Sequence, residues 1–175
     1  VEMAPAPHFK AGKFKEWLLG SNYRKEWTTA VKVPVLDISR MESGETKLAL
    51  EPVNLAQLIQ AAVSRVSPTM QARGIASSVF MPAHLPPVEI DLDMIDRVII
   101  NLLDNAIKFT PSDGQISVSA ESHDAHVAVS INDNGPGIPP EQRPHIFERF
   151  ARGTSSGPRG FGLGLTFCKL AVEAH

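Results

Sequence analysis

The sequence predicts an α+β fold, a two-layer α/β sandwich with its helices packed on one face of a sheet. Two stretches carry that expectation. Residues 93–110 place Ile95, Val98, Ile99, Leu102, Leu103 and Ala106 at the three-and-four spacing of an amphipathic helix. Residues 115–131 alternate Ile116, Val118 and Ala120 with Ser117, Ser119 and Glu121, then bring Val127, Val129 and Ile131 to the same period. That pattern is a hairpin apolar on one face and Ser-rich on the other, and one apolar face calls for one layer of helices. With 175 residues, 43% of them hydrophobic, the chain can bury a core and carry a smaller appendage. Its net charge of −2 gives no basis for general nucleic-acid or anionic-membrane binding. The single cysteine, Cys168, excludes an internal disulfide and sits in an apolar helical run, where it reads as buried filler. No apolar run reaches membrane-spanning length.

Taken in order, residues 1–36 differ in texture from the remainder. They open with Pro5 and Pro7 and hold both tryptophans, Trp17 and Trp27, and the only tyrosine, Tyr23. Residues 14–20 fit a short helix ending at Gly20, and residues 28–36 alternate Val31, Val33 and Val35 as a strand that Pro34 demotes to a sheet edge. Interleaved basic and aromatic residues suit single-stranded nucleic acid, but at this net charge a docking arm with aromatic anchors is the better reading. Residues 37–44 read as a last helical turn closed by Gly44 at C′. A second helix starts at Asn54, with Gln57 completing a capping box and Val53 stapled to Leu58. Its stripe runs through Leu55, Leu58, Ile59, Ala62, Val63 and Val66, and Ser67-Pro68 is expected to end it. Gly74 then introduces a strand over 75–81, residues 82–87 form a loop, and a short strand over 88–90 leads into the long helix, with Asp93 as N-cap and Asp96 in the first turn.

The polar residues of the long helix are the first sign of chemistry. Asn101, Asn105 and Lys108 fall at i, i+4 and i+7, on one side next to the apolar stripe. A solvated face is the plain reading; an Asn oxygen facing a hard cation and a Lys facing a phosphate is the functional one. Asp133-Asn134-Gly135-Pro136-Gly137-Ile138 follows the second hairpin strand. Asn-Gly signals a hairpin turn, yet Pro136, Pro139 and Pro140 forbid a returning strand. The glycines instead clear space beside a carboxylate that can accept from an exocyclic amine. Residues 141–150 read as a short helix with Ile146, Phe147 and Phe150 as apolar points, and Arg149 and Arg152 lie close by. Residues 153–160 combine Gly, Ser, Thr, Pro and Arg as in a lid. Gly160-Phe161-Gly162-Leu163-Gly164-Leu165 opens a final helix whose N-terminus can face a phosphate. Its spacing is not that of a dinucleotide fold.

Together these motifs, in this order, resemble the ATP-binding catalytic domain of bacterial sensor histidine kinases, a Bergerat-type nucleotide fold with a mixed sheet. Residues 101–110 look like the N box, 133–138 the first glycine box, 147–150 the F box and 160–165 the second glycine box. Leu36 to Gly44 is similar to the end of the family's second dimerisation helix. The division expected is residues 1–36 unlike the family, 37–50 the end of that helix with a linker, and 51–175 the catalytic domain. The resemblance implies that Asn105 coordinates the magnesium bridging the ATP phosphates, with Asn101 nearby and Lys108 on a phosphate. It implies Phe109 against the adenine, Asp133 accepting from the adenine amino group, and Gly160, Gly162 and Gly164 at the phosphates with help from Arg149 or Arg152. Gly135, Gly137, Ile138, Phe150 and Leu165 complete the implied contact set.

The implied activity is transfer of the γ-phosphoryl of ATP to a histidine on a dimerisation domain, with a response regulator downstream. The implied setting is a cytoplasmic homodimer, which in full length can be membrane-anchored. Gyrase-type, chaperone and mismatch-repair ATPases of the same fold carry a glutamate base where Asn101 stands, and an amide cannot take a proton; hydrolysis is therefore disfavoured. None of the six histidines, at 8, 84, 123, 126, 145 and 175, fits the family's phosphoacceptor box. The family also has a closing pair of strands after the run similar to residues 171–175, and none follows here. Such a gap leaves a hairpin edge unpaired, and the alternation of residues 28–36 suggests that this run pairs with the sheet and covers part of it. A non-catalytic interaction module and an anti-sigma-type serine or threonine kinase are the alternative readings.

Overall fold

The computed structural model describes residues 35–123, 126–150 and 162–175. The helix expected over 14–20, most of the strand over 28–36, and Arg152, Gly160 and the lid run lie outside the described residues. Val35 and Leu36, expected at the end of that strand, are helical instead: α1 spans Val35–Glu42. It ends as expected at Gly44, which holds φ +70°. Gly44 N–H donates to the Met41 carbonyl at 3.2 Å and Glu45 N–H to the Arg40 carbonyl at 3.0 Å, the paired bonds of a Schellman motif.

A short ladder joins β1 (Leu50–Val53) to β3 (Val88–Asp91), antiparallel, with Leu50 opposite Asp91. A three-stranded sheet runs β2-β4-β5, from β2 (Ala76–Phe80), β4 (Gln115–His123) and β5 (His126–Asp133). β2 lies parallel to β4 with Ala76 opposite Gln115, and β4 lies antiparallel to β5 with Ile116 opposite Asp133. The sheet is therefore mixed, and the hairpin forms where the alternation put it. Ile116, Val118, Ala120 and Ile131 are buried as expected. Ala128 and Ser130, on the other face of β5, are buried too, whereas Val127 and Val129 are half-buried, so alternation on β5 is weaker than the sequence suggests.

Two helices face the sheet. α2 (Leu55–Ala72) opens at Asn54, whose side-chain oxygen accepts from Gln57 N–H at 3.2 Å. It does not stop at Pro68. Proline inside a helix costs about 3 kcal/mol, but continuing the stripe past Val66 carries Met70 into the core at 1% exposure, and burying such a side chain recovers about 1.5–3 kcal/mol. Gly74 is the true stop, at φ +68°, with Gly74 and Ile75 N–H donating to the Gln71 and Met70 carbonyls. α3 (Leu92–Phe109) follows β3 without a loop. Its N-cap is Asp91, not Asp93: Asp91 Oδ1 accepts from Met94 N–H at 3.0 Å, and Oδ2 accepts from Ala49 N–H at 3.0 Å. Asp93 instead adds charge to the first turn, and Asp96 pairs with Arg65 of α2.

One core joins Leu58, Ile59, Ala62 and Met70 of α2, Ile99, Leu103, Ala106 and Ile107 of α3, and the inward residues of β4 and β5. A second, smaller core lies on the other flank of α3. There Val98 meets Leu163, Phe167, Cys168 and Ala171 around α4 (Gly164–Ala174), and Ile38 of α1 covers them. Cys168 is the buried filler expected, its Sγ 3.8 Å from the Val98 carbonyl. The helix expected over 141–150 does not form. A single 3-10 turn spans Arg143–His145, and Pro144 lacks the N–H that would donate the first i→i−4 bond of a helix starting at 141. Among the described residues no helix is long and apolar enough to cross a membrane.

Candidate functional site

The two Asn residues of α3 are buried rather than lining a solvated face: Asn101 is 7% exposed and Asn105 2%. α3 is packed on both flanks, by the sheet-side core and by the α4 core, so its polar residues lie between them. Asn105 Nδ2 donates to the Asn101 carbonyl one turn earlier. Asn105 Oδ1 and Asn101 Nδ2 have no hydrogen-bond partner among the described residues. Leaving a buried polar atom unmet costs about 1–3 kcal/mol, so each of these two atoms of α3 calls for an explanation. A lone amide oxygen facing inward suits a hard cation that retains waters and shares its remaining positions with phosphate oxygens.

The C-terminal end of α3 meets the first glycine motif. Asp133 closes β5, and its Oδ1 accepts from Gly135 N–H at 2.8 Å, a turn made by the carboxylate itself. A Cβ at Gly135 would sit 2.6 Å from the Phe109 carbonyl oxygen and 2.5 Å from Asp133 Oδ1. The space this glycine clears is thus taken by the α3 backbone, not left for a ligand as the sequence suggested. In consequence Asp133 and Phe109 become neighbours. Lys108 Nζ stands 5.1 Å from the centre of the Phe109 ring, and both residues are half-buried. Gly137 takes φ +69° to complete the turn, and Ile138 is buried behind it.

The second glycine motif starts α4. Leu163 is the N-cap position and supplies no side-chain hydrogen bond, so the first N–H groups of the helix keep no cap from it. Gly162 holds φ +67° and Leu165 is buried. Of the F-box residues, Phe147 is buried, and its carbonyl accepts from Thr166 Oγ1 at 3.0 Å. Phe150 is 58% exposed at φ +61°, a backbone that bulky residues rarely adopt. Its N–H donates to the Gly162 carbonyl at 3.0 Å, which ties the end of the F-box stretch to the second glycine motif. Arg149, expected to help at a phosphate, instead meets Glu42 of α1 with two nitrogens on its two carboxylate oxygens. α3 and α4 are further joined where the Arg97 guanidinium covers the Phe167 ring at 4.4 Å.

Residues 90–175 match the family of histidine kinase-, DNA gyrase B- and HSP90-like ATPases. A solved structure of the mycobacterial sensor histidine kinase MprB is 36% identical, with a TM-score of 0.58, and the match covers 69% of this chain and 76% of that one. The chain belongs to the ATP-binding catalytic domains of sensor histidine kinases. Full-length ShkA, solved in complex with AMPPNP, superposes on this catalytic domain with a TM-score of 0.69 at 30% identity, over 78% of this chain and 28% of ShkA. The adaptive-response sensory kinase SasA of Microcystis aeruginosa is 38% identical over 143 residues. That match takes in 81% of this chain and 37% of SasA, so the chain spans little more than a third of that curated relative.

Four residues of the histidine kinase domain that shape this region were not singled out by sequence. Arg73 reaches from the end of α2 to the carbonyls of Ile107 and Thr110, and Thr110 Oγ1 donates back to the Ala106 carbonyl at 2.6 Å. Thr166 and Glu42 secure the F-box stretch from α4 and α1. Arg73, Thr166 and Glu42 act across long sequence separations. Only Thr110, at the end of a helical pattern, carried a local signal, as a hydroxyl able to bond four residues back.

Proposed function

We propose that this domain binds ATP with magnesium and presents the γ-phosphoryl to a histidine on a dimerisation domain of a two-component kinase. The observation that carries the reading is the buried Oδ1 of Asn105, without a partner among the described residues, one turn from the α3 end where Asp133 and Phe109 meet. In this reading Asn105 Oδ1 is the protein's ligand to magnesium, and Asn101 sets its orientation through the backbone carbonyl that takes Asn105 Nδ2. The metal, when bound, neutralises the phosphate oxygens of ATP. Lys108 holds a phosphate from the last turn of α3. Phe109 lies against the adenine, whose amino group donates to Asp133, with Gly135, Gly137 and Ile138 forming the wall around it. The α4 start, with Gly162, Gly164 and Leu165, faces the phosphates, and Phe150, Arg152 and Gly160 belong to the same contact set. Phosphoryl transfer of this kind needs positioning and charge neutralisation rather than a covalent protein step.

Asn101 in place of an acidic base favours transfer to a side chain over transfer to water. None of the six histidines lies in a helical pattern fit for a phosphoacceptor, so this chain on its own binds ATP without labelling itself. Residues 37–50 are assigned to the end of a dimerisation helix and linker, and 51–175 to the catalytic domain. The whole kinase is assigned to the cytoplasmic side as a homodimer that passes phosphate to a response regulator.

The test is titration with a fluorescent ATP analogue, with and without magnesium, on the parent chain and on Asn105→Ala. Saturable binding that magnesium strengthens, and that Asn105→Ala weakens on the order of a hundredfold as a buried metal ligand is lost, is the expected result. A parent chain that binds no analogue would make this an interaction module instead. Incubating the chain with radiolabelled ATP and a separately supplied dimerisation domain then reads the acceptor: label on histidine is expected, and label on serine selects an anti-sigma-type kinase.

A further inference from the structure

We propose that Arg73 is a positioning residue for the nucleotide site, clamping the end of α3 from behind so that Lys108 and Phe109 keep their place against the Asp133 turn. The inference rests on the nucleotide-binding reading above. A helix leaves its last four carbonyls without partners, and at α3 two of the four, those of Ile107 and Thr110, are taken up by a side chain from α2. The Ala106 carbonyl takes both the Thr110 N–H at 2.9 Å and the Thr110 hydroxyl at 2.6 Å. The Ile107 and Thr110 carbonyls take the two terminal nitrogens of Arg73, the second at 2.7 Å. The Phe109 carbonyl lies against Gly135, where a Cβ would approach to 2.6 Å. The helix end is therefore held by a guanidinium at the Ile107 and Thr110 carbonyls, and the glycine turn packs against the Phe109 carbonyl between them. Lys108 and Phe109 lie between these fixed points.

Arg73 is itself well anchored. It is the C-cap of α2, its N–H donating to the Met70 carbonyl at 3.1 Å, and its own carbonyl accepts from Asp113 N–H at 3.2 Å. The backbones at the ends of α2 and α3 are thereby tied on both sides of the side chain. Two carbonyls three residues apart need a planar donor with nitrogens on different vertices; an ammonium is a single point and reaches one of them. A cation at a helix C-terminus is also favoured by the helix dipole. Among the described residues the guanidinium bonds to backbone carbonyls only, so its influence on a ligand passes through α3. Small misplacements of binding groups carry large penalties in a preorganised site.

The experiment compares the parent chain with Arg73→Ala and Arg73→Lys. Loss of the fork is expected to weaken Mg–ATP-analogue binding on the order of tenfold in Arg73→Ala and less in Arg73→Lys. Millimolar methylguanidinium should recover several-fold of the Arg73→Ala loss while leaving the parent unchanged. Amide hydrogen exchange over residues 106–110 should quicken in Arg73→Ala without nucleotide and slow again with methylguanidinium. Parent-like affinity in both folded variants, or a loss with neither chemical rescue nor faster exchange at the α3 end, would overturn the assignment. If Arg73→Ala fails to fold, the lysine variant decides between the same two results. A parent chain that binds no nucleotide would sink the function proposed above, whereas the exchange comparison would still judge the clamp.

Discussion

The two glycine-rich turns of this domain do opposite work. At the Asp133 turn the contacts that glycine permits are made with protein: Gly135 sits against the Phe109 carbonyl, and its N–H is held by the Asp133 carboxylate. At the start of α4 the N-cap residue Leu163 turns into the small core and offers no side-chain acceptor to the helix. The first turn is a wall built onto α3. The second leaves the first N–H groups of α4 without a side-chain cap from Leu163, and in the function proposed above they face the phosphates. Composition alone does not separate these roles; what each backbone touches does.

Substitutions at the glycines break the comparison most directly. Gly135→Ala forces a Cβ into backbone at 2.6 Å, and overpacking of that kind costs about 1–3 kcal/mol. It is expected to lower the melting temperature by several degrees and to abolish analogue binding with it; a parent-like melt would show that the wall yields. Gly164→Ala acts in the other direction. Gly164 is the first residue of α4, where alanine has a helix propensity better by up to about 1 kcal/mol. That variant should melt no lower than the parent and bind the triphosphate analogue several-fold more weakly, since a methyl crowds the N–H groups. Equal affinity would remove α4 from the phosphate site.

The smallest effect is expected at the pair of Arg149 and Glu42, which ties the stretch before Phe150 to α1. Both side chains are more than a third exposed, so a double-mutant cycle with Glu42→Gln and Arg149→Gln should give a coupling below about 1 kcal/mol, weaker still in high salt. A larger coupling would mark α1 as an integral part of the second turn's support rather than a helix lying over it.

Much of the fold was legible because it is local. The stripe of α3, the Asn54 cap, the Gly44 stop and the period-two hairpin each depend on residues within a few positions of one another, and each is present. Pro68 misled because a local rule met a tertiary gain, the burial of Met70. Asp93 misled because β3 runs straight into α3, which moves the cap back to Asp91. Residues 141–150 carry helical spacing of apolar groups but too few N–H donors, so only a turn survives.

The sequence by itself determined which residue types could meet a nucleotide and in what order along the chain: amides on a helix, a carboxylate at a strand end, glycines at two turns. Spacing on one helix was enough to put Asn101 and Asn105 together. Tertiary structure alone decided that these amides are buried, that an oxygen of Asn105 has no partner among the described residues, that Gly135 serves the backbone of α3, and that Arg149 faces Glu42. It also brought Arg73 to the end of α3 across more than thirty residues. The reason is physical. Periodicity records which way a side chain points along its own element, whereas burial and hydrogen-bond partnership depend on which second element arrives opposite it.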